Sequence, residues 1–353
     1  MTDDNNGLVG YWIKNANKLS TLDRARFAQA VFLGINFFIF DIRDVNIDEK
    51  TINGLFYSHP DGEYRRKVTR YPDLFDYRLA NSFERKYPKA FDSIKADSYV
   101  VQRRGIGTKK QVAKKIEKGK FAHYGIKTYP FDINVLEQLL NQHKLGLVLK
   151  PNRGSNGKGI YKVTPKSEGI YTLHYLETRQ DVSYKELVDD YISVLENAED
   201  YLIQEYIDST TRDGVPMDVR LNVARGLGGE FGVTACYCRY GSKEYLGTNM
   251  GKASRSIVKD VLGALKWHFG EDKGKELHDD VIKIGKLFPE EFQKTTSFLI
   301  SELALDIGIN RATNTLHFFE VGVSPGTLAI TPYEVAEQNV GFYKYLFKSG
   351  VVK

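Results

Sequence analysis

The segment LVLKPNRGSNGKGIYKV, residues 147–163, constrains the fold of this chain more than any other. Apolar runs at both ends read as strands, and glycines at 154, 157 and 159 fill the loop between them. Glycine has no Cβ, so its backbone N–H can approach a phosphate closely and positive φ carries no strain. A P-loop or dinucleotide-binding turn would be followed by a helix, whereas IYKV reads as a strand, and neither the Walker spacing nor GxGxxG fits. These residues predict a glycine-rich flap between antiparallel strands, with Lys150 projecting from the entering strand toward an anion. A plain hairpin with a flexible loop is the alternative that this segment alone leaves open.

A second short strand is read at residues 201–208, YLIQEYID. Its end, Gln204, Glu205, Tyr206, Ile207 and Asp208, can offer backbone donors and acceptors to an adenine edge and a carboxylate to ribose hydroxyls, or simply be a strand leaving for a loop. Three further strand-like runs follow at 217–225, 231–241 and 316–326. Asp306 in ALDIGIN and Glu320 in FFEVGVSPG lie in apolar surroundings, where an unpaired carboxylate costs several kcal/mol of desolvation. Each is therefore expected to meet a cation or a basic partner. Carboxylates completed by nucleotide phosphates and water describe a Mg²⁺ site. The alternative is pairing with arginines such as Arg220 or Arg239, which themselves suit bidentate recognition of phosphate or carboxylate.

With 353 residues the chain exceeds what one core usually serves, so two or three lobes of roughly 100 to 150 residues are expected. Strands at 8–14 and 36–43 around a helix at 22–33 form a β-α-β opening, and the segment 71–78 closes a small first lobe. Residues 83–124 are strongly basic, and TKKQVAKKIEKGK reads as a helix that is either a solvated face or the source of a lysine reaching the cleft. A further helix is expected at 134–143. The net charge of +5 favours anionic ligands without implying nucleic acid. Cys236 and Cys238 read as reduced core residues. The start is acidic, unlike a signal peptide, and no run of roughly 18 apolar residues occurs, so a cytoplasmic protein away from membranes is expected. His123, His143, His268 and His317 read as structural, and no general base is identified.

In order and spacing, VGYWIK, PDLFDYR, VLKPNRGSNGKGI, IQEYI, PMDVRLNV, the stretch around Thr248, Asn249, Met250 and Gly251, and ALDIGIN before FFEVGVSPG together resemble the ATP-grasp superfamily. Within it the chain is similar to the YheC/YheD group of spore-coat-associated proteins, and to RimK-type ligases. The resemblance implies an ATP-grasp fold of α/β and α+β lobes: an N-terminal pre-ATP-grasp α/β lobe over 1–82, a linker and small subdomain over 83–206, and a large subdomain over 207–353. It implies that Lys150 holds the α-phosphate and that the loop of Arg153, Gly154, Ser155, Gly157, Lys158 and Gly159 covers the phosphates. Gln204, Glu205, Tyr206 and Ile207 would form the adenine hinge and Asp208 would take the ribose. Arg220, Arg239 and Asn249 would face the reacting groups, and Asp306 and Glu320 would hold Mg²⁺. The family's earlier ATP-binding lysine falls on Lys109, Lys110 or Lys114.

The expected activity is that of an ATP-dependent carboxylate–amine ligase working through an acyl phosphate, with a small-molecule or peptide carboxylate and amine as substrates. The rivals are a nucleotide-binding structural or regulatory protein and a small-molecule kinase. The sequence departs from the family at Gly322, where Glu-x-Asn is usual, and the glycines after Asn249 are partial, at Gly251 before Lys252. Either Ser324 or water completes the metal site, or the second Mg²⁺ is weak, or nucleotide is bound without efficient turnover.

Overall fold

The computed structural model describes residues 7–77, 81–102, 105–154, 157–193, 200–248, 256–323 and 331–352. Ser155, Asn249, Met250, Gly251, Lys252 and Ser324 lie outside the described residues. Three sheets follow one another along the chain. The first comprises β1 (Leu8–Trp12), β2 (Asn36–Phe40), β3 (Val45–Asn46), β4 (Thr51–Ser58), β5 (Glu63–Arg70), β6 (Leu74–Tyr77) and β7 (Tyr99–Gln102), ordered β3-β4-β2-β1-β6-β7 with β5 on β4. β2, β1, β6 and β7 are parallel, so no tight turn can join them; helices make the crossovers from β1 to β2 and from β6 to β7, and the strands β3, β4 and β5 lie between β2 and β6. The helix Thr21–Leu33 joins β1 to β2. It begins at a capping box between Ser20 and Asp23 and ends at Gly34 in the left-handed region.

The first sheet does not close at the segment 71–78. β7 lies beyond the expected boundary at residue 82 and pairs in parallel with β6, after the helix Pro88–Asp97 has buried Phe91 and Ile94 against the sheet. On the opposite face the C-terminal helix Pro332–Lys348 returns to bury Val340, Phe342, Tyr343 and Leu346 with Val9, Tyr11, Phe27 and Ile39.

The second sheet is antiparallel, formed by β8 (Thr128–Pro130), β9 (Leu147–Pro151), β10 (Tyr161–Ser167), β11 (Ile170–Tyr175), β12 (Thr178–Ser183) and β13 (Tyr201–Glu205) in the order β12-β11-β10-β9-β13-β8. One face packs Leu147, Leu149, Val163, Leu173 and Ile203 on Leu136, Leu139 and Leu140 of the helix Ile133–Gln142. Side chains alternate along strands, so Val148, Lys150, Lys162 and Gln204 share the other face.

The third sheet orders β14 (Met217–Arg225), β15 (Phe231–Tyr240), β16 (Ser256–Val258), β17 (Glu302–Ile309) and β18 (Leu316–Gly322) as β16-β15-β14-β17-β18, all antiparallel. Helix Glu271–Gln293 covers it with an i, i+3/i+4 stripe of Leu277, Val281, Ile284, Phe288 and Phe292. Cys236 and Cys238 are free on β15, where burial pushes both thiols up to about 12. This agrees with their reading as reduced core residues. Val112 and Ile116 of the helix Lys109–Glu117 join the same core, which fixes the start of that helix at the junction of the second and third sheets.

Candidate functional site

The hairpin read from the glycine pattern is present. β9 and β10 pair antiparallel on either side of the loop, and Gly154, Gly157 and Gly159 all have positive φ. A Cβ on Gly159 would stand 2.7 Å from the Tyr201 hydroxyl, so this position requires glycine for space as well as for backbone angle. Arg153 and Lys158 are exposed on the described part of the loop.

Lys150 emerges from β9 and is buried. Its Nζ donates to Gln204 Oε1 at 2.7 Å and makes a long 3.5 Å contact to the Phe319 carbonyl on β18, so one ammonium bridges the two antiparallel sheets. Gln204 is turned by its own amide, whose Nε2 donates to Thr128 Oγ1 at 2.8 Å. Burial lowers the Lys150 pKa to about 8, with Glu320 opposing the shift and Lys109 adding to it.

Of the three lysines left open by the sequence, Lys109 is the one held against Glu320. Thr108 and Gln111 form a capping box that starts the helix, and Lys109 N and Lys110 N donate to the backbone and side-chain oxygens of Asn152. Lys109 Nζ then reaches Gly154 O at 2.8 Å and Glu320 Oε1 at 3.5 Å. Lys110 and Lys114 line the same cavity. That cavity, about 800 Å³, is bounded by Lys109, Thr128, Lys150, Arg153, Gln204 and Glu320. A smaller one of about 170 Å³ shares Lys109, Lys150, Gln204 and Glu320 and reaches Glu205, Tyr206, Ile207, Asp218, Arg239 and Asp306. Asp208 lies just beyond, accepting from Thr210 Oγ1 at 2.9 Å.

Across the third sheet, charges alternate in register. Arg239 on β15 stands opposite Asp218 on β14, Arg220 on β14 opposite Asp306 on β17, and Asp306 opposite Glu320 on β18. Arg239 grips Asp218 with two N–H groups at 2.7 and 2.5 Å, and Thr248 Oγ1 donates to the same carboxylate at 2.7 Å. Asp306 Oδ1 lies 2.6 Å from Arg220 Nη1 and 2.8 Å from Arg239 Nη2. Burial works against the Arg239 charge, but Asp218 and Asp306 together raise its pKa, so it stays cationic.

Each carboxylate faces a basic partner, within what the sequence led one to expect: Asp306 has both arginines and Glu320 has Lys109. One sequence expectation changes here, because Glu320 is not buried. It sits on the edge strand with its side chain 45% exposed, because the apolar neighbours in FFEVGV belong to alternating faces. Among the described residues no three His, Cys, Asp or Glu side chains cluster to hold a metal. The donor set still suits Mg²⁺, which usually takes one or two carboxylates and fills the rest of its shell with phosphates and water. Glu320 lines the cavity wall with its side chain open to it.

Thr128, Asp218 and the choice of Lys109 are absent from the sequence expectations. Asp218 had a signal: in MDVRLNV it precedes Arg220 by two, which puts both on one strand face. His143, His268 and His317 make structural contacts to Glu205, Tyr240 and Thr315.

Two antiparallel sheets clasping a lysine-lined cleft, behind an α/β lobe with a mixed sheet, define an ATP-grasp protein. The model of the family described as YheC/D like ATP-grasp matches residues 99–349, and the chain belongs to that family. Among curated proteins it is similar to the endospore coat-associated protein YheD of Bacillus subtilis (strain 168), at 24% identity over 235 residues, covering 60% of this chain and 49% of the relative. The chain thus spans about half the length of that relative. Among solved structures it is similar to the VanG D-Ala:D-Ser ligase from Enterococcus faecalis (14% identity, TM-score 0.49, 96% of this chain and 99% of that one). It is also similar to the D-cycloserine synthetase DcsG (10% identity, TM-score 0.45, 94% and 98%). Among the described residues no helix is long and apolar enough to cross a membrane.

Proposed function

We propose that the chain is an ATP-dependent carboxylate–amine ligase. The observation that carries this reading is the meeting of Lys150, Lys109 and Glu320 at the junction of the two sheets, where Lys150 bridges Gln204 and the Phe319 carbonyl. Two ammonium groups beside an accessible carboxylate are suited to nucleotide phosphates and their counter-ion. Lys150, oriented by Gln204 and Thr128, supplies charge at the phosphates, and Lys109 adds a second charge from the helix start. The backbone of Glu205 and Ile207 would read the adenine edge and Asp208 the ribose. Glu320, with Asp306 behind it, would hold Mg²⁺, which neutralises phosphate charge when bound.

In the proposed reaction a substrate carboxylate oxygen attacks the γ-phosphorus and the bond to ADP breaks. An amine then attacks the acyl carbon, phosphate leaves with the bonding electron pair, and the amine proton passes to solvent. The protein's part is positioning and charge neutralisation. Arg220 keeps partial exposure beside Asp306 and would be the guanidinium to meet an anionic reactant, while Arg239, although it lines the smaller cavity, is committed to Asp218 and Asp306. Arg239 therefore serves here as a scaffold for Thr248 and the segment that leads to Asn249, the third residue expected at the reacting groups.

A second reading, a nucleotide-binding structural or regulatory protein, is favoured by Gly322, which offers no side-chain oxygen two residues after Glu320. Incubation with ATP, Mg²⁺ and pooled amino acids and peptides distinguishes the possibilities. Phosphate with a condensed product supports the ligase, a phosphorylated product indicates a kinase, and bound nucleotide with neither product supports the second reading.

A further inference from the structure

Beyond the hinge, the cleft-facing side of β10, β11 and β12 carries a second polar constellation. Lys162 stands opposite His174, Thr164 opposite Thr172, and His174 opposite Arg179. These residues, with Tyr206, Lys243 and Tyr245, line a pocket of about 230 Å³. No carboxylate lines it among the described residues. Neighbouring acids are engaged elsewhere: Asp181 with Lys166 and Thr172, and Glu177 with the Tyr245 hydroxyl. Asp208 acts on Lys162 only through space.

We propose that this pocket binds a small, multiply charged oxyanion other than the nucleotide, a phosphate monoester or a polycarboxylate, between Lys162, Arg179 and Lys243. Lys162 lies with Nζ 3.3 Å from the centroid of the Tyr206 ring, which attracts the charge without neutralising it. A largely buried ammonium without a carboxylate partner is costly, and an anionic ligand offsets that cost. Burial lowers the Lys162 pKa to about 8, outweighing the opposing pull of Asp208.

The pocket is built rather than incidental. His174 Nε2 lies 2.9 Å from both the Leu176 and Glu244 carbonyls, and Arg179 Nη2 donates to Lys243 O at 3.0 Å, so the loop from β15 is tied over the sheet. The volume is below the roughly 300–1,000 Å³ of drug-sized ligand sites, which points to a ligand smaller than a nucleotide. Tyr206, Thr210, Pro216 and Leu246 also line the small cavity at the hinge, so the two ligands share a wall.

The test is site-resolved acylation of Lys162, whose depressed pKa makes it reactive, followed by mass spectrometry. Glycerol 3-phosphate and citrate are titrated with and without a saturating non-hydrolysable ATP analogue and Mg²⁺. Protection of Lys162 by at least one anion, persisting with the analogue bound, is expected, and the anion that protects identifies the source of the charge. Lys243→Gln leaves the backbone carbonyl that ties the loop, and should raise the anion concentration needed by about tenfold. Arg179→Gln should do the same. The proposal is overturned if neither anion protects, if only the nucleotide does, or if protection is undiminished in both variants.

Discussion

Asp306 and Glu320 are opposite one another in the antiparallel register of β17 and β18, yet the first is buried between two guanidinium groups and the second opens onto the cleft. The difference follows from position, since β17 is internal to the sheet and β18 is its edge. Glu320 therefore has the freedom to change partners, from Lys109 to a hydrated cation, at little structural expense. Glu320→Ala should alter stability by less than about 1 kcal/mol while weakening Mg-ATP binding by tenfold or more. Lys150→Met should weaken it similarly and also remain folded, because the methionine retains most of the buried volume. Calorimetric titration with circular dichroism as a folding control measures both. Folded variants that bind Mg-ATP like the parent would exclude both residues from the site.

Asp218 should behave in the opposite way. It accepts from Arg239 and Thr248 in a buried network, and its removal leaves two guanidinium groups sharing the single carboxylate of Asp306. Breaking one side of such a pair costs roughly 3–5 kcal/mol. Asp218→Ala is expected to lose that much in urea unfolding. A loss below about 1 kcal/mol would mean that Arg239 is free to turn to a substrate and is not a scaffold.

The Lys150 pKa gives a pH dependence whose sign reverses on binding. In the free protein its folded value, about 8, lies below the roughly 10.4 of an unfolded lysine. Its buried charge thus opposes folding in full below pH 8, and the opposition fades as pH rises from there toward about 10.4. Nucleotide phosphates favour the ammonium, so ATP binding near pH 9 should take up a proton, and affinity should fall as pH rises through 8. Binding enthalpies in buffers of different ionisation heat count that proton. Uptake should drop in Lys150→Met, and equal uptake in both proteins would place the proton elsewhere, with Lys162 the first candidate.

What was legible in the sequence was what local chemistry dictates. The β9–loop–β10 hairpin announced itself through glycines that only a tight flap needs, and TKKQVAKKIEKGK read as a helix. Which lysine stands against Glu320 was not legible, because Lys109, Lys110 and Lys114 are alike in sequence and differ only in how Val112 and Ile116 seat the helix on a core formed a hundred residues later. β5, EYRRKVTR, is a largely exposed outer strand with no apolar run to signal it. The return of Tyr343 to the first lobe, where its hydroxyl donates to Asp76 Oδ2 at 2.6 Å, depends on a contact between chain ends that no local pattern encodes. The apolar run around Glu320 misled for a related reason: alternation on an edge strand can look like burial.

The glycine-rich loop offers a direct kinetic readout. Arg153 and Lys158 are exposed, and both are trypsin sites. Nucleotide phosphates accepting from the loop backbone should shield them, so cleavage at these positions is expected to slow several-fold in saturating Mg-ATP. Unchanged cleavage rates would mean that the loop does not cover the phosphates.

Gly322 is where the choice between enzyme and binding protein can be tested most sharply. An amide oxygen two residues after Glu320 would lie on the same face of β18 and could complete a second metal position. The backbone permits it: Gly322 pairs with Ala304, is not among the glycines with positive φ, and a Cβ built there meets no atom within 4 Å. The strain of about 1 kcal/mol or more that a left-handed angle would impose therefore does not arise. Gly322→Asn should fold like the parent, and any ATP-dependent activity should reach its half-maximum at lower magnesium concentration. If the parent is inactive because it lacks this ligand, turnover should emerge in the variant under the same titration. An active parent whose magnesium curve is unchanged in a well-folded Gly322→Asn variant would show that water or another group already completes the site, and a weakened second metal would then no longer account for this family departure.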